Sequence, residues 1–323
     1  MQQDNRHRWW PMAIGFCAVM VAVPAAQAVV IYDPVEPYRN TSDPGDGSGW
    51  HLQALIGGFL GTPIGPHHLI TAKHTNFNPN PGMAIHFDSG PNSGRTYTSV
   101  EHFDDPGTDL RIVEIAETFS VWAPLYLQQD EAGRTVTVFG RGRAPGSEVM
   151  GPSFDGTSHL KGWTYGTDDQ VMSWGRNIVS DIHRDSEEGD WIAFDFDADG
   201  IDQEAHLSGR DSGGGLFVRN DSGQWMLAGI NRTVTFPFQR DADGHPDGEP
   251  FAATLFDMGG CWVGSPPEFF ADQIQDIPST AFATRLSTDL AWIGSIVPAA
   301  VPLPSTLSLL LAGGWVLLRR QQR

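Results

Sequence analysis

Leu207-Ser-Gly-Arg-Asp-Ser-Gly-Gly-Gly-Leu-Phe217 sets an Asp-Ser pair between glycines and leads directly into an apolar, strand-like segment. A serine beside residues without side chains is accessible, and the neighbouring N–H groups can approach a reacting carbonyl closely. A serine hydroxyl is a weak nucleophile, so Ser212 can react only if a histidine base and an orienting carboxylate lie near it in the fold. What this stretch does therefore depends on residues elsewhere in the chain.

The sequence upstream offers one suitable histidine and one suitable aspartate. His74 ends the apolar segment Ile70-Thr-Ala-Lys-His74, whose small residues leave room for the imidazole ring, and we expect the Lys73 side chain to point outward. Asp109 directly precedes Leu110–Ile115, in which apolar residues alternate as they do along a strand. Other candidates are expected in turns: His67, His68, Asp104 and Asp105.

In the order His74, Asp109, Ser212, and in the sequence around each, the chain resembles the trypsin/chymotrypsin-like serine proteases. Residues 57–74 resemble that family's segment ending in the base along their whole length, and the resemblance extends over about residues 48–295. It implies an all-β fold of two antiparallel six-stranded β-barrels of the chymotrypsin-like kind, followed by a short C-terminal helix.

The resemblance also suggests where each part of the fold lies. A protease domain over residues 48–297 would hold barrel one at about 48–118 and barrel two at about 133–280, joined by a linker at 117–132, with the C-terminal helix at about 282–295. Glycine (37 residues) and proline (23 residues) are frequent, which agrees with many short strands joined by turns.

The family's chemistry is acyl transfer, and the resemblance implies a role for each matching residue. Ser212 would attack the scissile carbonyl, His74 would take and return the proton, and Asp109 would orient the imidazole. The backbone N–H groups of Arg210 and Ser212 would form the oxyanion hole, although Arg210 stands where the family has glycine. His206 lies six residues before the serine, where the family often has the floor of the substrate pocket, so a preference for lysine or arginine is not expected. The resemblance implies no metal and no organic cofactor.

Two other classes of function remain open from the sequence. In the first, the chain is a protease-like module that binds a component of the extracellular matrix, and its catalysis is impaired because Arg210 disrupts the oxyanion hole. In the second, it is a structural protein of an extracellular polysaccharide. The partner of an active enzyme would be a protein or peptide substrate.

The N-terminal residues 1–28 have the layout of a signal peptide. Arg6 and Arg8 precede an apolar run at residues 12–23, and Ala26-Gln-Ala28 provides the small residues of a cleavage site. A buried N-terminal helix is the alternative. We therefore expect export and cleavage by signal peptidase.

Cleavage after Ala28 would make Val29 the new N-terminus. In the trypsin-like family a freed apolar N-terminus folds inward, and its ammonium pairs with the aspartate before the catalytic serine, which here is Asp211. A buried aspartate needs such a cation, because an unpaired charge in the interior is strongly unfavourable. The alternative is that residues 29–47, rich in Pro, Asp, Gly and Ser, are a surface leader segment.

Residues 298–323 contain a Pro-x-Pro element, a short apolar run and an arginine cluster. This layout resembles the PEP-CTERM sorting signals of exopolysaccharide-forming bacteria, although Leu303 replaces the usual glutamate. It implies recognition by an exosortase-type processing enzyme, transient membrane contact through the tail, and a protein secreted to or beyond the bacterial cell surface. A plain C-terminal anchor is the alternative.

The composition argues against a nucleic-acid partner and against an intramolecular disulfide. A formal net charge of −19 excludes binding of nucleic acid through a basic face. Loss of the signal peptide would leave Cys261, in a predicted loop insertion at 259–267, as the only cysteine, so no intramolecular disulfide could form. Asp195-Phe-Asp-Ala-Asp-Gly200 begins like a calcium-binding loop, but position twelve is His206 instead of glutamate, which favours a solvated acidic turn.

Overall fold

Segments in which apolar and polar residues alternate form short strands throughout the computed structural model, which describes residues 28–33, 40–79, 81–152, 156–241 and 246–301. The strands of the first half are β1 (Val30–Ile31), β2 (Ala54–Ile56), β3 (Phe59–Gly65), β4 (His68–Ala72), β5 (Ala84–His86), β6 (Tyr97–Asp104) and β7 (Leu110–Ile115). Short 3₁₀ turns lie at Trp50–Leu52 and Lys73–Thr75.

The second half contains the remaining strands and the helix. They are β8 (Thr135–Gly140), β9 (Arg143–Pro152), β10 (Ser158–Asp168), β11 (Ser173–Ile178), β12 (Asp181–Asp185), β13 (Gly189–Asp195), β14 (Ala205–His206), β15 (Gly215–Arg219), β16 (Trp225–Val234), β17 (Phe238–Asp241), β18 (Pro246–Phe251), β19 (Ala253–Leu255), β20 (Cys261–Val263), β21 (Glu268–Phe270), β22 (Thr280–Arg285) and α1 (Leu290–Ile296).

Six strands of the first half close into a barrel in the order β2-β3-β4-β7-β6-β5. All of these pairings are antiparallel, and Ala72 lies opposite Leu110 where β4 meets β7. The interior is filled by buried apolar side chains that include Ile56, Tyr97 and Phe119. The structure thus confirms an all-β fold with one six-stranded barrel in the predicted region.

The second half forms an open seven-stranded sheet in the order β11-β8-β15-β16-β22-β13-β12. The two edge strands of this sheet, β11 and β12, are not paired with each other in the described residues, so the second closed barrel that we expected is not observed. A side chain links one edge strand to the strand beside the other edge, since Asn177 Nδ2 on β11 donates to the carbonyl of Asp195 on β13 at 2.6 Å.

Three smaller sheets complete the fold. β19, β10 and β9 form one, and β18, β17, β20 and β21 form another with its own apolar core. Residues 259–267 therefore contribute strand β20 to a sheet, where the sequence indicated only a loop insertion. The third sheet pairs β1 with β14, so that Val30 lies opposite His206.

The barrel and the seven-stranded sheet share a buried apolar interface. Ile70 and Leu110 from the barrel belong to one core cluster with Phe217 and Leu227 from the sheet, and α1 adds Ile293 to it. Burying side chains from both halves in one cluster fixes the two halves against each other. The loops at the junction can then hold side chains from both halves in register.

The C-terminal helix is shorter than predicted. Residues 280–285 form β22, because Ala281 and Ala283 are buried in the sheet's core while Phe282 between them is less buried. The helix begins only at Leu290 and ends at Ile296. Leu286, which lies within the range predicted for the helix, is fully buried in the turn between them.

Most of the predicted signal peptide, and the tail from residue 302 onward, lie outside the described residues. In the described part of the chain no helix is both long enough and apolar enough to span a membrane.

Candidate active site

The pairing of β4 with β7 brings His74 beside Asp109. The backbone N–H of Lys73 donates to the Asp109 carbonyl at 2.8 Å, which continues the ladder one residue past the strand ends. The Asp109 carboxylate accepts two further hydrogen bonds, from the His74 backbone N–H to Oδ1 at 2.8 Å and from His74 Nδ1 to Oδ2 at 2.5 Å. A carboxylate can only accept, so Nδ1 carries the proton and Nε2 is left as an acceptor.

Ser212 reaches this histidine from the other half of the molecule. It lies in the loop between β14 and β15, and its Oγ is 2.8 Å from His74 Nε2, so the hydroxyl donates to the free ring nitrogen. His74 is partly exposed, with 43% of its side chain accessible, whereas the Asp109 side chain is 7% accessible. The structure therefore places the three predicted side chains in one continuous hydrogen-bonded chain that opens to solvent at the serine.

Two glycines allow the serine loop to approach the rest of the fold. Gly213 has φ 83°, and a Cβ there would lie 2.2 Å from the Leu60 carbonyl oxygen. A Cβ on Gly214 would lie 1.9 Å from the carbonyl oxygen of Phe139. These contacts are shorter than any van der Waals separation, so side chains at 213 and 214 would push the serine away from His74.

The peptide between Gly209 and Arg210 has a defined orientation. The Gly209 carbonyl accepts from the Arg143 backbone N–H at 3.0 Å. Because the carbonyl and N–H of a trans peptide point in opposite directions, the Arg210 N–H faces away from Arg143. Among the described residues neither this N–H nor that of Ser212 donates to a protein acceptor. Both donors are thus available to an oxyanion.

Arg210 holds a left-handed backbone conformation, with φ 78°. That region costs a residue with a Cβ about 1–2 kcal/mol, while glycine enters it freely. The side chain is held at its far end, where Nε lies 2.8 Å from Asp168 Oδ2 and the guanidinium carbon lies 5.2 Å from the centre of the Phe59 ring.

Asp211 is buried beside Ser212 and is held by backbone donors. Its Oδ1 accepts from Gly142 N at 2.8 Å, and its Oδ2 accepts from Ser208 N at 2.7 Å. Burial raises the pKa of this carboxyl to about 6, although the hydrogen bonds oppose the shift. The Val29 backbone nitrogen lies 3.3 Å from Oδ2, so the structure brings together the two groups of the predicted ion pair.

His206 does not line the cavity beside the serine. It is fully buried on β14, and its Nδ1 lies 2.7 Å from the Leu207 carbonyl oxygen, with Ser279 near Nε2. Burial lowers the pKa of this imidazole to about 4, which keeps the ring neutral. The expectation of a pocket floor at His206 is therefore wrong, because pairing of β14 with β1 turns that side chain into the core.

A cavity of about 750 Å³ opens beside Ser212, His74 and Arg210. Several of its other walls are apolar or aromatic residues that the sequence did not single out: Tyr165, Trp191, Val234, Phe236 and Ala252. Arg232 also lines it, paired with Glu188 and stacked 4.3 Å from the Trp191 ring centre.

Lys73 points inward, contrary to our expectation. Its ammonium donates to the carbonyls of Asp105 at 2.7 Å and Thr108 at 2.5 Å. These contacts tie down the turn that precedes Asp109. Lys73 therefore helps to support the carboxylate that orients His74.

The described residues contain no group of three or more His, Cys, Asp or Glu side chains placed to hold a metal ion. Comparison of the chain with protein-family models finds no match, and comparison with curated proteins finds no similar sequence. The geometry of the site is thus what bears on function.

Proposed function

We propose that this protein is an exported serine endopeptidase of the trypsin-like kind. The observation that supports the proposal best is the chain of hydrogen bonds from Asp109 through His74 to Ser212, with distances of 2.5 and 2.8 Å. This arrangement couples a nucleophile to a general base whose tautomer is fixed by a buried carboxylate. Free N–H groups beside the serine add the second requirement of acyl transfer, which is stabilisation of the oxyanion.

The reaction would run in two halves through an acyl-enzyme. Ser212 Oγ attacks the scissile carbonyl carbon as His74 Nε2 takes the hydroxyl proton, and the carbonyl oxygen becomes an oxyanion bound by the N–H groups of Arg210 and Ser212. The imidazolium then gives the proton to the leaving amine. Water repeats the sequence on the ester, and Asp109 stabilises the imidazolium in both halves. No cofactor takes part.

The proposed fold is the two-barrel fold of that family. In this interpretation the seven-stranded sheet is the second barrel, and the hydrogen bond from the Asn177 side chain on β11 to β13, the strand beside the edge strand β12, helps to close it. The active site then lies between the two barrels, as the shared apolar interface requires.

The proposed location is outside the cell. Signal peptidase would remove residues 1–28, an exosortase-type enzyme would process the tail, and the substrate would be a protein or peptide. The apolar walls of the cavity suit an uncharged substrate side chain better than lysine or arginine.

Hydrolysis of a broad peptide library tests the proposal. Ser212→Ala and His74→Ala should each lower kcat by roughly a millionfold, and the double variant should be no slower, because the two residues act as a unit. Thermal unfolding must show that each variant is folded. A folded wild-type protein that cleaves no peptide would contradict the proposal and favour a catalytically impaired binding module.

A further inference from the structure

The backbone of Arg210 has a conformation that is usually adopted by glycine. Its φ is 78°, and the N–H that it presents would be one of the two oxyanion donors. If the peptide between Gly209 and Arg210 turned over, the Gly209 carbonyl would face the cavity and that donor would be lost. Something must therefore favour the observed orientation when residue 210 carries a side chain.

The Arg210 side chain is anchored at its far end. Its Nε lies 2.8 Å from Asp168 Oδ2, at the end of β10, and its guanidinium carbon lies 5.2 Å from the Phe59 ring centre, at the start of β3. Arg210 therefore reaches from the serine loop to both halves of the molecule. The side chain is 40% accessible and that of Asp168 is 20% accessible, so the pair is only partly screened by solvent.

The same sheet holds the backbone and the side chain of this loop. Arg143, at the start of β9, donates its backbone N–H to the Gly209 carbonyl at 3.0 Å. In the register of β9 with β10, Arg143 lies opposite Asp168. Strand β9 thus fixes the Gly209 carbonyl, and strand β10 fixes the Arg210 guanidinium.

We propose that Asp168 is a positioning residue that, through Arg210, keeps the Arg210 N–H turned towards the oxyanion. The proposal rests on the proposed peptidase function. Glycine would adopt this backbone conformation without strain. Arg210 is instead held in it by the ion pair with Asp168 and the stacking on Phe59. Asp168 has no contact with substrate in this role.

A double-mutant cycle between Asp168 and Arg210 tests the proposal. Asp168→Ala should lower kcat by about tenfold or more and leave KM within about twofold, because the lost N–H donor stabilises the oxyanion of the transition state and not the bound substrate. Asp168→Asn should be intermediate. In the Arg210→Gly background, Asp168→Ala should change kcat by less than about twofold, since glycine needs no anchor.

Asp221→Ala is a matched control. Asp221 pairs with Arg134 at 3.1 Å in an exposed ion pair remote from the serine, and its removal should leave kcat at the wild-type value. Equal losses from Asp168→Ala in both backgrounds, or no loss when Arg210 is present, would overturn the proposal.

Crystal structures of the wild-type protein and Asp168→Ala separate this proposal from the proposed function. We expect the variant to show the Gly209 carbonyl turned into the cavity in part or all of the molecules. A variant that keeps the contact between Gly209 and Arg143 in full would overturn the role of Asp168, whatever the activity. An inert wild type would overturn the peptidase, and the two structures would still decide whether Asp168 holds the peptide.

Discussion

The Asp109 carboxylate fixes the orientation of His74 through both of its oxygens. Oδ1 accepts from the His74 backbone N–H, and Oδ2 accepts from the ring nitrogen Nδ1. Asp109→Asn would replace one of these acceptors by a donor and so force the imidazole into the other tautomer. We expect kcat to fall about ten-thousandfold, with little change in KM. Steady-state kinetics on a peptide substrate would measure both values.

Asp104 provides the control for this substitution. It pairs with Arg111 at 2.6 Å and has no contact with His74, so Asp104→Asn should change kcat by less than about threefold. If Asp109→Asn were as mild as Asp104→Asn, the carboxylate would not be orienting a catalytic histidine.

At the scale of single residues, the three polar side chains that meet in the site could be chosen from the sequence, whereas the residues that line the cavity around them could not. Ser212, His74 and Asp109 could be chosen because each stands at the end of a strand-like segment in a distinctive local context. Lys73 and His206 were misplaced because the direction of a side chain depends on strand pairing, which a single sequence does not give. Tyr165 and Trp191 resemble any other aromatic residue of a sheet, so nothing in the sequence marked them as cavity walls.

At the scale of elements, strand β1 links the N-terminus to the serine loop. It pairs with β14, and this pairing puts the Val29 nitrogen within 3.3 Å of the buried Asp211 carboxylate. Ser173 Oγ contacts the Ala28 carbonyl oxygen, so the residue before Val29 is also enclosed. A chain that begins at Val29 would bring an ammonium to this carboxylate, whereas a longer chain would bring only an amide.

Stability as a function of pH distinguishes these two forms. Burial raises the pKa of Asp211 to about 6, so with an amide partner the folded state favours the protonated acid. A raised carboxyl pKa gives stability that is present at low pH and lost as the pH rises through about 6. An ammonium at Val29 would counter that loss.

We therefore expect a chain beginning with Ala-Val29 to be less stable at pH 8 than one beginning at Val29, by about 1–3 kcal/mol. The gap should narrow as the pH falls below 6, and the extended chain should also be less active at pH 8. Chemical denaturation at several pH values measures the gap. A gap that is the same at pH 5 and pH 8 would mean that the backbone donors alone satisfy Asp211.

Elements with clear alternation were predictable, and elements whose identity depends on their neighbours were not. The segment before His74 and the segment after Asp109 became β4 and β7 as expected. Residues 282–285 were expected to begin the C-terminal helix, in which Leu286, Leu290 and Ile293 have helical spacing, yet they form a central strand paired with β13 and β16. Tertiary pairing outweighed local periodicity there.

At the scale of the whole molecule, the fold is held by apolar cores and buried ion pairs. The only cysteine of the described residues, Cys261, is a buried free thiol. Glu131, in the segment between the two halves, is fully buried and accepts from Arg285 Nε at 3.0 Å at the end of β22. This pair ties that connecting segment to the sheet.

The ends of the exported chain are a prediction at this scale. Mass spectrometry of protein recovered from the medium or cell surface should show an N-terminus at Val29 and loss of the C-terminal arginines. Both segments lie almost entirely outside the described residues, so the prediction rests on the sequence. An exported chain that still carries Arg319 and Arg320 would favour a C-terminal anchor over a sorting signal.

The most direct test of the proposed chemistry is covalent labelling of Ser212 by a fluorophosphonate at neutral pH, followed by mass spectrometry of the digested protein. A serine activated by His74 should be modified stoichiometrically, Ser212→Ala should not be labelled at all, and His74→Ala should react far more slowly. A correctly folded wild-type protein that stays unlabelled at Ser212 would contradict the proposal that this site performs acyl transfer.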